Sequence, residues 1–285
     1  MSFPTPLDRF INRARPLLPV LAALAFASPG RAGAREAERP LRVMTFNIHY
    51  GADAGGRPNL RAAAALIRAL DPDVAAVQEV DRRFGLRSLW RDQAAWLGRA
   101  LDMEWVFAAT LDRRPGLPGC GEYGIAIFSR LPILSACFLP LPGVLERRGV
   151  LLAWIGAEEG AFPVACTHLG LSSADRRLQI DAILAWLPRA PNLLLLGDFN
   201  AEADAPEMAE PARELVDLQA ACGRSHEETF IYRGTPVRID YIFAGPAWRA
   251  LDCRPMPSRV SDHYPVVAEI TRISKTPTPG QDITL

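Results

Sequence analysis

Several short apolar runs in this chain end in groups able to bind a metal or move a proton. "NLLLLGDFN" (192–200) finishes four leucines with Asp198 and Asn200, and "RIDYIF" (238–243) carries Asp240 within another apolar run. Asn47 ends "RVMTFN", Gln78 and Glu79 fall near the end of "DVAAVQEV", and Thr167 and His168 stand at the end of "PVACTH". Asp262 and His263 precede the run "YPVVAEIT". Carboxylate and amide oxygens are hard ligands suited to Mg²⁺ or Mn²⁺. An imidazole beside a carboxylate is an acid–base pair. Taken singly, each residue has an ordinary structural use, as a turn residue, a cap or a solvated acid. Collected at strand ends, where α/β folds place their chemistry, they suit metal-assisted attack of water on phosphorus. The set lacks cysteine, which argues against a zinc–thiolate site. The chain has neither a Gly-rich nucleotide loop nor a G-x-S-x-G elbow.

The positioning elements follow from the apolar pattern. "LRVMTFNI", "DVAAVQEV", "EWVFAAT", "YGIAIFS", "VLLAWIG", "PVACTHL", residues 193–199, "RIDYIFA" and "PVVAEIT" read as strands. The four leucines read as a strand buried on both faces. Three helices are expected. One runs over "NLRAAAALIRAL" with Asn59 as N-cap. A second covers "SLWRDQAAWLGRAL" with Trp90, Ala94, Leu97 and Leu101 on one face. The third spans about 173–187, capped by Ser172 or Ser173, with Ile180, Ile183, Leu184 and Leu187 inward. A fourth is read near "ARELVDLQAA". Many strands and few helices exclude a simple alternating doubly wound sheet. They point to two packed β-sheets with helices outside, in one domain from 41 to 272.

The chain has 285 residues, 49% hydrophobic and 22% charged, a globular composition that suits one large domain or two small ones. Formal net charge is zero, which weighs against a protein that grips long nucleic acid. Residues 1–34 carry arginines, then the apolar block "PLLPVLAALAFA", then small residues, the order of a secretory signal peptide. The expectation is export to the periplasm or outside the cell, with retention as an N-terminal membrane anchor as the alternative. The block is shorter than the ~20 residues a spanning helix needs. The five cysteines show no metal-ligand spacing; Cys137 and Cys166 read as small core residues, and one disulfide is compatible with export. The tail, 273–285, reads as mobile.

Seven blocks, "TFNIHYG", "DVAAVQEVD", "YGIAIFSR", "CTHLG", "GDFN", "RIDYIF" and "SDHYPV", resemble in type and order the endonuclease/exonuclease/phosphatase (deoxyribonuclease-I-like) superfamily, from Leu41 to Thr271. The resemblance implies a four-layer α/β sandwich, two mixed sheets with outer helices, and a Mg²⁺- or Mn²⁺-dependent phosphoric ester hydrolase. It also implies roles. Glu79 is the principal metal ligand, with Asn47 and Asp262 at the metal. Asp198 orients or deprotonates the attacking water, and Asn200 contacts phosphate or water. His263 acts at the scissile phosphate, held by Asp240, and His168 is a second phosphate contact. Arg148 and Tyr123 are candidates for substrate binding, Glu122 for orienting His168, and His49 and His226 are read as surface residues. The proton acceptor, Asp198 or His263, stays open. A non-catalytic binding module would be expected to lack part of this set.

The substrate is a phosphodiester or phosphomonoester, with three readings. Inositol-polyphosphate phosphatases fit poorly, because Ala201 and Glu202 follow Asn200 where those enzymes have Tyr-Arg. A nuclease would use arginines and aromatics in "LDRRPGLPGCGEY" and "FIYRGTPVR". A lipid or other small phosphodiester, as in sphingomyelinase-like relatives, suits the neutral charge, and "FLPLPGVLERRG" (138–149) reads as an apolar loop able to touch a membrane surface. No protein partner is implied, and a monomer is expected.

Overall fold

The computed structural model describes residues 11–12, 39–113 and 121–273. Apart from Ile11, Asn12 and Ile273, the segment read as a signal peptide and the tail lie outside the described residues, as does the middle of the 111–123 loop. One sheet runs, in spatial order, β1 (Ile11–Asn12), β4 (Glu104–Asp112), β5 (Glu122–Ser129), β3 (Val74–Arg82), β2 (Leu41–Asn47), β15 (Val266–Arg272) and β14 (Trp248–Pro255). The other runs β10 (Val216–Asp217), β13 (Asp240–Ala244), β9 (Leu194–Asp198), β8 (Phe162–His168), β7 (Arg148–Ile155) and β6 (Ile133–Leu141). A hairpin, β11 (Phe230–Tyr232) and β12 (Thr235–Val237), stands outside both sheets.

Each sheet has one parallel pair, β2–β3 and β8–β9, and every other pairing is antiparallel. A parallel pair needs a crossover. These are the helices α1 (Leu60–Leu70) and α3 (Ser173–Trp186). With α2 (Gln93–Leu101), α1 covers the outer face of the first sheet, where Ile67 and Leu97 meet Met44, Phe46 and Val77. On the far side, Ile180 and Ile183 of α3 meet Leu195 and Phe243. The inner faces share a third core, in which Val43, Val74 and Ile127 meet Leu151, Leu194 and Leu196. The layers are therefore helix, sheet, sheet, helix, the expected four-layer sandwich. The leucine strand shows why. Leu194 and Leu196 point into the inter-sheet core while Leu193 and Leu195 point to α3, so period 2 buries both faces, at about 2 kcal/mol per leucine.

Topology gathers chemistry at one end. β2, β3, β8 and β9 bring their C-terminal ends there. β13 and β15 are antiparallel to β9 and β2, so they bring their N-terminal ends, with Asp240 opposite Asp198 and Val266 opposite Thr45. Parallel β8 and β9 approach closely at Gly197, where an added Cβ would lie 2.1 Å from the Thr167 carbonyl oxygen. Gly197→Ala is expected to destabilise the fold by about 2–3 kcal/mol, read as a lower urea midpoint. An unchanged midpoint would mean that these strands separate more easily than their packing implies.

Local details depart from the sequence reading. Asn59 precedes α1, but its side chain donates to the Val260 carbonyl instead of capping the helix. The second helix starts at Gln93, because Asp92 accepts from the Ala95 amide and caps it there. Trp90 consequently lies in the preceding turn, exposed, instead of on the helix face. The single helix near "ARELVDLQAA" is two, α4 (Ala209–Glu214) and α5 (Leu218–Ala221). Leu215 is extended between them, and Asp217 caps α5. Ser172 caps α3 as expected. Residues 133–141 and 248–255 are edge strands not anticipated, so the supposed loop 138–149 is a turn of only 142–147. Cys166 is fully buried, but Cys137 is exposed on edge strand β6; the four described cysteines are free thiols. No described helix is long and apolar enough to cross a membrane.

Candidate active site

The strand ends converge on a cleft of about 440 Å³ whose lining includes Glu79, His168, Asp198, Asn200, Asp262 and His263. Asp198 is its hub and is almost wholly buried. Its Oδ1 accepts from the Asn200 amide at 2.9 Å. Its Oδ2 accepts from Asn47 Nδ2 at 3.0 Å and faces His168 Nε2 at 3.3 Å and His263 Nε2 at 3.7 Å. Burial and the charge of Asp240 push its carboxyl up to about 7, against the opposing pull of His263. The turn after it is pinned from below. Tyr241 donates its hydroxyl to the Ala201 and Arg238 carbonyls and packs edge-on against Phe199. Asn200 sits in left-handed backbone (φ 50°) and donates Nδ2 to the Leu169 carbonyl.

His263 Nδ1 lies 2.9 Å from Asp240 Oδ2. Burial pulls this imidazole's pKa down, but the charges of Asp240 and Asp198 outweigh it and raise the pKa to about 10. The ring is therefore an imidazolium through neutral pH, and its Nε2–H faces the cleft. Asp240 is itself held by its backbone amide on Thr229 Oγ1 at 3.1 Å, while Phe230 lies against the His263 ring with centroids 4.4 Å apart.

His168 is arranged in the opposite sense. Arg148 Nη1 stands 3.1 Å from its Nδ1. A guanidinium only donates, so Nδ1 is the acceptor and the proton sits on Nε2, facing Asp198. Burial, then Arg148, then His263 hold its pKa well below the ordinary value, so this imidazole is neutral. Arg148 is nearly buried and also pairs with Glu146 at 2.9 Å. It orients a histidine from the cleft wall, a commitment the sequence reading did not foresee when it gave Arg148 to substrate. Glu122 does not orient His168, because it pairs with Arg82 at 3.0 Å. Tyr123 is buried in the same wall, and burial raises its hydroxyl well above the usual range.

Glu79 enters through a local distortion. The β3–β5 register shifts between Val77 and Val80, and Glu79 has φ 59°. A bulge of this kind re-aims a side chain. The carboxylate takes a hydrogen bond from Asn47 Nδ2 at 3.1 Å, and burial raises its pKa. Asn47 Oδ1 accepts the His49 amide at 2.9 Å, which fixes the orientation of its amide and leaves one lone pair. Ser261 ties the two sides together, donating to the Asn47 carbonyl at 2.8 Å and lying 3.1 Å from Asp262 Oδ1. Two carboxylates and an amide oxygen, one carboxylate destabilised by burial, fit a hard divalent cation. Ligand atoms of Asp198, Asp240 and His263 also lie within 4.8 Å of one another. The facing atoms of Asp240 and His263 already bond each other, which leaves Glu79, Asp262 and Asn47 as the oxygen set free to meet a cation.

Several cleft residues escaped the sequence reading, among them His49, Tyr50, Phe84 and Arg87. His49 is no surface residue, since its Nδ1 is 3.7 Å from Asp262 Oδ1 and its position two residues past Asn47 is the signal that could have found it. Tyr50, Phe84 and Arg87 form one wall, with the guanidinium over both rings and locked by Asp81 at 2.8 and 2.9 Å. His226 is exposed as expected, and Gln78 is a core residue bonded to Thr45 and Cys166.

The chain belongs to the endonuclease/exonuclease/phosphatase family, whose description matches residues 44–263, the greater part of its length. Members of this family hydrolyse phosphoester bonds and generally depend on a divalent metal. Among solved structures, the endonuclease/exonuclease/phosphatase of Beutenbergia cavernae is 26% identical with a TM-score of 0.70, over 82% of this chain and 72% of that one. The human Nocturnin catalytic domain, solved with bound sulfate, is 21% identical with a TM-score of 0.62, over 82% and 95%. A mannosyl-6-phosphatase of Bacteroides thetaiotaomicron is 18% identical with a TM-score of 0.63, over 81% and 99%. No curated protein sequence matches the chain.

Proposed function

We propose that the protein is an exported, Mg²⁺- or Mn²⁺-dependent hydrolase that cleaves a phosphodiester by attack of water on phosphorus. The supporting observation is the opposed pair of histidines around Asp198, one cationic and one neutral, beside an oxygen-only ligand set. Glu79, Asp262 and Asn47 would hold the ion, which supplies a Lewis acid for phosphate oxygen. Asp198, with a carboxyl near 7, orients the water and takes its proton. His263, kept cationic by Asp240, stabilises charge developing on phosphate oxygen. His168 adds a neutral Nε2–H donor, and Asn200 lines the cleft beside it. Phosphomonoester cleavage is the second reading, favoured by the mannosyl-6-phosphatase among the structural neighbours.

The test is hydrolysis of bis(4-nitrophenyl) phosphate and of 4-nitrophenyl phosphate by the purified chain. Turnover of the diester is expected to stop with EDTA and return with Mg²⁺. Mg²⁺ should also raise the melting temperature of the wild type and not of Glu79→Gln. Activity that survives chelation would overturn the metal assignment, and turnover of the monoester alone would replace the diester reading.

A further inference from the structure

Six of the exposed large apolar side chains stand on segments that line the cleft. In the 142–147 turn, Val144 is 88% exposed and Leu145 65%. Leu171, after β8, is 70% exposed, Leu86 and Leu89 of the 83–92 loop are 79% and 61%, and Tyr232 at the β11–β12 hairpin tip is 53%. Each of these four segments also lines the cleft, through Glu146, Leu171, Arg87 and Phe230 respectively, so their tips ring its entrance. Isolated surface leucines need no explanation, but a clustered apolar rim does.

Charge accompanies the rim. Arg147 lies two residues past Leu145 and Arg233 follows Tyr232; both are exposed, and neither has a carboxylate partner among the described residues. Of the nearby acids, Glu146 on the same turn is paired with Arg148, and Glu202 and Asp204 stand on the 199–205 segment, which carries no exposed large apolar side chain. Aliphatic tips flanked by arginine match the boundary between acyl chains and anionic headgroups. The aromatic wall of Tyr50 and Phe84 under Arg87 lies within the cleft, whereas these six exposed tips around it are, Tyr232 apart, aliphatic and give a nucleic-acid base no ring to stack on.

We propose that these loop tips seat the protein on an anionic phospholipid surface, with the cleft opening onto headgroup phosphates. The substrate class is then a phospholipid phosphodiester; this second step rests on the hydrolase reading above, whereas the docking does not.

The experiment is co-sedimentation of the full chain with vesicles of phosphatidylcholine alone or mixed with phosphatidylglycerol. Because Pro16–Ala27 is itself apolar, the decisive comparison is between loop variants of the same chain. Wild type should prefer the mixed vesicles. Val144→Ser with Leu145→Ser should lower partitioning at least about tenfold, while Leu251→Ser, on β14, leaves it unchanged. The double variant should keep its turnover of bis(4-nitrophenyl) phosphate within about twofold, since neither side chain lines the site. Wild type left in the supernatant, equal binding by the double variant, or binding to a single-stranded oligonucleotide but not to vesicles overturns the docking. Soluble turnover without vesicle binding leaves the hydrolase reading standing. Vesicle binding without soluble turnover removes that reading and keeps the docking.

Discussion

Asp198→Asn is expected to cut kcat for bis(4-nitrophenyl) phosphate by about a thousandfold, roughly 4 kcal/mol of barrier, with the fold intact. The amide keeps one acceptor for the Asn200 amide but turns an NH₂ toward Asn47 Nδ2, which donates to Oδ2 in the wild type, and toward His168 Nε2, which faces Oδ2 at 3.3 Å. Donors then face donors, and no group is left to take a proton from water. Because Oδ1 still holds the turn, circular dichroism and the melting midpoint should change little. A loss under about tenfold, 1.4 kcal/mol, would remove Asp198 from the proton-accepting role.

Asp240→Asn should move the whole pH profile toward acid. In the wild type, His263 is raised to about 10 and Asp198 to about 7, so activity is expected between an acid limb near 7 and an alkaline limb near 10. Both displacements owe much to the Asp240 charge. Without it, burial is opposed on His263 only by Asp198 and Asp262, so the pKa of His263 falls from about 10, while Asp198 loses a repulsion that had raised it. At alkaline pH the variant therefore holds less cationic His263 than the wild type, and its activity should fall away at a lower pH. Stability follows the same sign. A histidine raised above its unfolded value stabilises fully below 6.5, and the contribution drains as pH rises through 10. Wild-type melting temperature should therefore carry a downward slope from pH 6.5 to 10 that is shallower in Asp240→Asn. Parallel slopes would show that this pair does not set the charge of His263.

The chemistry was legible where it sits on strand ends, because period-2 apolar runs announce where they stop. Asp198, His168, Asn47 and Glu79 all follow such runs, and two buried faces on the leucine strand implied layers on both sides. What long-range packing decides was not legible. Nothing local tells that Arg148 meets His168 across the β7–β8 pairing, or that Phe230, on a hairpin outside both sheets, lies against His263. Glu122 was the candidate to orient His168, but Arg82 holds its carboxylate, and Arg148, read as a substrate residue, takes that place. The helix near "ARELVDLQAA" failed for a nearer reason, since Asp217 prefers to cap a new helix over continuing the old one.

The return of β15 to the first sheet bears on how the protein is made. β15 lies beside β2, and Arg42 pairs with Glu269, 227 residues away. Asp262 and His263 are delivered by the segment just before β15, and Ser261 locks that segment to the Asn47 carbonyl. A growing chain that stops short of β15 thus has the other strand-end groups of the cleft but lacks Asp262 and His263. Those arrive only with the strand that closes a loop of more than two hundred residues back onto β2. On the proposed reading, the cleft cannot work before that strand has been made, and fragments that end before it are mute.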